Sequence, residues 1–222
     1  MIPWELLDSA PVPGGDGMLH LYRRGDEFSI RIGRNELMNS RTHGSEDRLA
    51  EAACAQIAGR AGPHVLIGGL GMGFTLAASL RMLGPDAVVV AAELVPAVVR
   101  WNRGPLGEHS GRPLDDARVG VHEGDVAGLL RARAAKYDAV LLDVDNGPAG
   151  LTHKGNDWLY GADGLRAAQG ALRPGGVLAV WSAAPDRAFH TRLRRAGFTV
   201  EELRVRAHRG RGARHIVWLA RK

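Results

Sequence analysis

The densest group of reactive side chains lies in "LLDVDNGP", where Asp143, Asp145 and Asn146 follow an apolar run and precede Pro148. Two carboxyls this close do not ionise independently, so one is suited to act as a base toward an amine or hydroxyl. Asp, Asn, Gly and Pro are also the residues of plain turns, so the segment reads as a strand exit too. Three further signals stand upstream of it. "GGLGMG" supplies Gly68, Gly69, Gly71 and Gly73, which allow a tight turn and let a ligand approach the backbone. Glu93 follows about 20 residues later, where an acid can accept hydrogen bonds from two ribose hydroxyls. Leu94 and Val95 behind it can cover a purine face. Asp125, in "EGD", can accept from an adenine amino group or cap the next helix. Each signal is weak by itself, but in this order they outline a nucleoside site with an acid beside it. A phosphate-binding glycine motif fits less well, because Leu76 stands where its last glycine should be.

Such residues converge only if each follows a strand, since open α/β sheets bind ligands beyond the carboxyl ends of their strands. The sequence supplies those strands. "HVLIGG", "AVVVAAE", "ARVGVHEGD", "YDAVLLDVD" and "GGVLAVWSA" are apolar runs that alternate with helical patterns such as "GFTLAASLRML" and "VPAVVRWNR". "FTVEELRV" and "RHIVWLAR" close the chain around an Arg/Gly turn, so one of them must run antiparallel. The expectation is an α/β, Rossmann-like fold of the class I methyltransferase type: seven strands, mostly parallel, with helices on both faces.

Upstream, residues 1–16 are rich in Pro and Gly and read as an irregular lead-in. "MLHLY" and "EFSIRI" predict a hairpin, and "GRNELMNS" a turn with a short third strand. "SEDRLAEAACAQIAG" predicts a helix capped by Ser45 and stopped by Gly59 or Gly62. The expected organisation is a β-hairpin extension over 1–44 packed on a catalytic domain over 45–222.

The 222 residues suit a single core, and 45% hydrophobic with 24% charged is a globular balance. The net charge of +5 fits either an arginine-preferring genome or an anionic partner. Cys54 is the only cysteine, so no intrachain disulfide forms, which suits a reducing cytoplasm. No secretory leader opens the sequence and no apolar stretch is long enough for a bilayer, so a cytoplasmic protein without membrane contact is expected.

From "EFSIRIGRNELMNSRTHGSEDRLAE" through the glycine loop, "AAELVPAVVRWNR", "EGD", "LLDVDNGP" and "LYGADGLRAAQGALRPGGVLAVWSA", the chain resembles the spermidine synthase-like branch of the class I S-adenosylmethionine-dependent transferases. The resemblance implies that Gly68, Gly69 and Gly71 line the cofactor, with Glu93 on the ribose, Leu94 beside it and Asp125 on the adenine. It also implies that Asp143, with Asp145 next to it, helps deprotonate the attacking amine at the cofactor's reactive end. A homodimer acting on a small-molecule acceptor would be in keeping.

The departures from that family shape the functional expectation. Spermidine synthases carry an acid in the loop ("GGGDGG") that faces the amine of decarboxylated S-adenosylmethionine, and here the loop has none. Asn146 replaces a second acid, and "YHE" becomes "HGSE". Fewer acids suit a diamine poorly and repel the carboxylate of intact S-adenosylmethionine less. The expectation is therefore methyl transfer from S-adenosylmethionine to a small amine or hydroxyl. Aminopropyl transfer from decarboxylated S-adenosylmethionine is the alternative.

Trp158 and Tyr160 could wall the acceptor pocket or pack in the core, and His43, His153 and Trp181 are weaker candidates. Asp143, Asp145 and Asn146 offer oxygen ligands suited to Mg²⁺, but they share one turn, and strand alternation would scatter them, so no metal is expected. Arg206, Arg209, Arg211 and Arg214 could form a nucleic-acid surface, making the acceptor RNA or the chain a non-catalytic binding protein. No aromatic residue interleaves them, which favours a solvated hairpin tip.

Overall fold

The computed structural model describes residues 2–15, 17–132, 134–144, 157–208 and 211–222. Four strands open the chain: β1 (Glu5–Pro11), β2 (Met18–Arg24), β3 (Glu27–Ile32) and β4 (Asn35–Asn39). They form an antiparallel sheet in sequence order. The expected irregular lead-in thus contains a strand. β1 lacks an alternating pattern and buries only Ala10, so its own sequence does not announce it. It is made by pairing with β2, from Glu5 opposite Arg23 to Pro11 opposite Met18, across a bulge between Leu6 and Asp8.

Helix α1 (Gly44–Gln56) follows. Its N-cap is His43 rather than the expected Ser45, and His43 gives no side-chain cap. Ser45 lies inside the first turn, where its hydroxyl donates to Glu46 Oε2 at 2.6 Å.

Then come β5 (His64–Gly68), α2 (Phe74–Met82), β6 (Val88–Glu93), α3 (Pro96–Arg103), β7 (Val119–Glu123), α4 (Val126–Arg131) and β8 (Tyr137–Leu142). The rest is α5 (Asp157–Tyr160), α6 (Ala162–Ala171), β9 (Leu172–Ser182), α7 (Arg187–Arg195), β10 (Thr199–His208) and β11 (Arg211–Arg221). Helices α5 and α6 are separate because Gly161 takes an extended conformation (ψ 172°) and starts α6 afresh. The second sheet has seven strands in the order β10-β11-β9-β8-β5-β6-β7. Its central pairs are parallel, and β11 runs antiparallel to both β9 and β10. The expected fold class holds.

Strand β8 shows why the sheet sits where it does. Every one of its residues is buried. Successive side chains point to opposite faces, so Ala139 and Leu141 join one apolar layer while Val140 and Leu142 join the other. The first layer also holds Leu49 and Ala53 of α1 and Leu21, Phe28 and Ile30 of the N-terminal sheet. That sheet therefore shares a core layer with the large one. Burying each such large side chain contributes about 1.5–3 kcal/mol, so the two sheets are held together firmly. Among the described residues, no helix is long and apolar enough to cross a membrane.

Candidate functional site

A cavity of about 220 Å³ opens beyond the carboxyl ends of β5, β6, β7 and β8. One wall is the turn after β5. Gly69 N–H donates to Ala92 O at 2.8 Å, and Asp143 N–H donates to Gly68 O at 2.9 Å, so the loop is tied to the exits of both β6 and β8. Gly69 has φ +89°, and a side chain there would also collide with the Asp143 carbonyl. Gly71 has φ +52°, and a Cβ would lie 2.8 Å from Met38 Sδ of β4. The N-terminal sheet thus closes over the loop, and Ile30, Ile32, Leu37 and Met38 line the cavity opposite it.

Glu93 is only 8% exposed and lines this cavity. Its Oε2 accepts the Leu70 N–H and its Oε1 the Val95 N–H, both at 2.9 Å. It pins the glycine loop to the β6 exit, and the Gly71 and Leu94 amides also donate toward it. Burial pushes its pKa up against the pull of the Val95 and Leu70 amides. Asp125 caps α4, its Oδ1 accepting the Ala127 N–H at 2.8 Å, and it lines the cavity as well. The capping half of its two readings is thereby met. Leu94 and Val95 stand beside Glu93 in the wall.

Asp143 continues the side-chain parity of Ala139 and Leu141 past the end of β8, toward the layer that contains α1. There the Thr75 hydroxyl, at the start of α2, donates to its Oδ2 at 2.6 Å. Burial raises the Asp143 pKa, and the Thr75 bond only partly opposes this. Glu46, in the first turn of α1, faces the same cavity. Burial and then the charge of Asp143 push its carboxyl up to about 7, while the Ser45 hydroxyl pulls the other way. Sequence reasoning missed Glu46. An acid in the first turn of a helix is favoured by the helix dipole anyway, so its type and place do not single it out. The available signal was the glutamate shared by "YHE" and "HGSE".

The cavity gathers Glu46, Glu93, Asp125 and Asp143, and no Lys, Arg or His lines it among the described residues. Trp181, at the end of β9, also lines it, and its indole Nε1 has no partner among the described residues. The other candidates lie elsewhere. Tyr160 is buried against Phe189, with its hydroxyl donating to Val144 O at 3.1 Å. Trp158 packs on the second apolar layer with Arg131 4.0 Å over its ring. Both belong to the core rather than to an acceptor wall. His43 stacks on Phe74 at 4.1 Å and meets Asp47 at 2.9 Å. Arg206 and Arg214 face each other across β10 and β11. Asp145, Asn146, Pro148, His153 and Arg209 lie outside the described residues, as does the side chain of Arg211. No group of three or more His, Cys, Asp or Glu suited to a metal ion occurs among the described residues.

Comparison with solved structures sets this geometry in context. A spermidine synthase from Thermotoga maritima superposes with a TM-score of 0.77 at 16% identity, covering 98% of this chain and 72% of that one. The fold is that of a spermidine synthase. A second spermidine synthase structure, in complex with the transition-state analogue AdoDATO, matches the same shares at a TM-score of 0.75 and 17% identity. A probable spermidine synthase from Corynebacterium glutamicum gives 0.66 at 13% identity, covering 98% and 79% of the two chains. In sequence, the chain is 34% identical over 128 residues to polyamine aminopropyltransferase 1 of Streptomyces coelicolor, a match over 56% of this chain and 23% of that protein. The match therefore spans about a quarter of the curated relative's length. No protein-family model matches.

These relatives overturn the expectation of a methyltransferase using intact S-adenosylmethionine, for they are spermidine synthases and a polyamine aminopropyltransferase. That expectation rested on the acids missing from the glycine loop and at Asn146, and it left out Glu46, the glutamate that "YHE" and "HGSE" share, which lines the cavity with Asp143.

Proposed function

We propose that this chain is an aminopropyltransferase, moving the aminopropyl group of decarboxylated S-adenosylmethionine onto a small-molecule primary amine. The carrying observation is the cavity with four carboxyls and no cationic side chain among its described lining residues. Burial raises the carboxyls of Glu46, Glu93 and Asp143, and a cationic ligand would favour their charged forms. Both substrates of aminopropyl transfer are cations, whereas intact S-adenosylmethionine would add a carboxylate here.

The residues divide the work by position. Gly68, Gly69 and Gly71 let the donor lie against the backbone, Glu93 takes the ribose hydroxyls, Asp125 the adenine amino group, and Leu94 with Val95 the purine face. The donor's sulfonium supplies an electrophilic carbon and leaves as a neutral thioether, so the protein's part is mainly positioning. Asp143 orients the acceptor nitrogen and accepts the proton it releases as the new C–N bond forms and the C–S bond breaks. Asp145 would assist. The Thr75 hydroxyl fixes the Asp143 carboxyl for that role. Cys54, the only cysteine and buried, suits work in the reducing cytoplasm, and edge strand β1 offers a surface for pairing two copies.

The test is a product assay with purified protein, supplying putrescine together with either decarboxylated or intact S-adenosylmethionine. Methylthioadenosine from the decarboxylated donor alone is the expected result. Formation of S-adenosylhomocysteine from the intact donor, or no product from either, would end this reading.

A further inference from the structure

Any acid that meets the ligand's reactive half must come from outside the glycine loop, because the loop's two side chains, Leu70 and Met72, are apolar and buried. Strand order arranges the cavity's acids in a line. Asp125 follows β7, Glu93 ends β6, the loop follows β5, and Asp143 follows β8. A nucleoside held by Glu93 and Asp125 sends its alkyl tail across the loop, toward Asp143 and the start of α1. The second acid at that end is Glu46.

We propose that Glu46 holds the primary ammonium of the donor's propylamine tail and thereby selects the decarboxylated donor over the intact one. This rests on the aminopropyl reading and deepens it. Asp143 is already committed in geometry, with its backbone tied to Gly68 and its side chain to Thr75, and it is left for the acceptor amine. Glu46 approaches from a different element, oriented by the Ser45 hydroxyl at 2.6 Å. Among the described residues, the nearby charged groups offer it no cation. Asp47 is engaged by His43 and by Arg81 of α2, at 2.9 Å each, so the Arg81 guanidinium serves Asp47. Asp143 adds a further carboxyl. The carboxylate of an intact donor would enter this acidic corner as a third carboxyl, with no cation among the described residues to meet it. A bare propylammonium would satisfy both charge and hydrogen bonding there.

Calorimetric titration decides the matter, with decarboxylated S-adenosylmethionine, intact S-adenosylmethionine and methylthioadenosine against the wild type and Glu46→Gln. Methylthioadenosine carries the nucleoside but no ammonium. Glu46→Gln is expected to weaken the decarboxylated donor by about tenfold to a hundredfold, the worth of one charged hydrogen bond, and to leave methylthioadenosine unchanged. Ser45→Ala, which removes only the orienting hydroxyl, should shift the same ratio in the same direction by less. Equal loss for both ligands in Glu46→Gln, or no loss for either, overturns the assignment. Unchanged donor affinity in Glu46→Gln with a raised putrescine KM in the product assay overturns it too, by moving Glu46 to the other substrate. If the wild type itself ignores the decarboxylated donor, the aminopropyl reading falls first, and that result is distinct from the others.

Discussion

Strand β8 carries an aspartate near each end, and the two are treated in opposite ways. Asp138, at the amino end, is 2% exposed and surrounded by compensation. Arg60 reaches its Oδ1 at 2.6 Å, Arg173 its Oδ2 at 2.7 Å, and the His64 N–H donates to Oδ2 at 2.8 Å. Burial alone would raise its pKa, but the amide and the two guanidiniums outweigh it and hold the carboxyl below its ordinary value. Asp143, just past the carboxyl end, receives one neutral hydroxyl and faces a second acid, and its pKa is raised. One strand thus shows a carboxylate completed by its own protein and another completed by none of the described residues. The first is what a fold does with a charge it uses for cohesion. The second is costly to the fold, and a cationic ligand removes the cost.

The comparison breaks most sharply at Asp143. Asp143→Asn keeps the Thr75 contact and the shape of the site but removes the proton acceptor. Turnover of decarboxylated donor with putrescine should fall by about a hundredfold or more, the usual worth of a positioned base. Donor affinity should change far less, and the melting temperature should hold or rise, because an uncompensated acid has gone. A parallel loss of affinity and turnover would mean that Asp143 binds rather than catalyses.

Asp138→Ala should do the reverse. It strands two guanidiniums and an amide, a change that costs several kcal/mol when the partners are buried. Arg60 and Arg173 keep 30% and 37% of their side-chain surface exposed, so water recovers part of that. The expected loss is about 2 kcal/mol in urea unfolding, with the activity of the folded fraction unchanged. A loss below about 0.5 kcal/mol, the range of ordinary surface substitutions, would remove the distinction between the two aspartates.

Much of this was legible in the chain. The βα alternation announced the seven-stranded sheet, since parallel strands buried on both faces must be continuously apolar, as "VVVAAE" and "YDAVLL" are. The placement rule for open sheets then put Gly69, Glu93, Asp125 and Asp143 on one rim. What the sequence concealed came from outside that alternation. β1 exists through its partner rather than its own pattern. The roof of the cavity belongs to strands whose residues, such as Ile30 and Met38, read as ordinary hairpin hydrophobics. Glu46 reaches the site because α1 packs in the same layer as Asp143, a relation between segments far apart in the chain that spacing does not encode. Overlooking Glu46 led to the wrong donor, because the acids were counted on the loop rather than around the cavity.

The smallest effect, and the finest test of the comparison, is in the pH dependence of stability. Glu46 has a carboxyl near 7 in the folded chain and near 4.5 when unfolded. Between those values the folded chain keeps a proton that the unfolded chain has released. That contribution is present at the acid end and is lost as pH rises through the window, by at most about 1.4 kcal/mol per pH unit. Asp143 and Glu93, also raised, act in the same sense. Asp138, which is lowered, acts in the opposite sense and withdraws stability only as pH falls below the ordinary aspartate value of 3.8. The ligand-free protein should therefore melt at progressively lower temperature from about pH 5 to about pH 8. Glu46→Gln should flatten that slope without abolishing it, since the other raised acids remain, whereas Asp138→Asn should lower the whole curve and leave its slope intact. An unchanged slope in Glu46→Gln would mean that Glu46 is already compensated, and the contrast between the two ends of β8 would then rest on Asp143 alone.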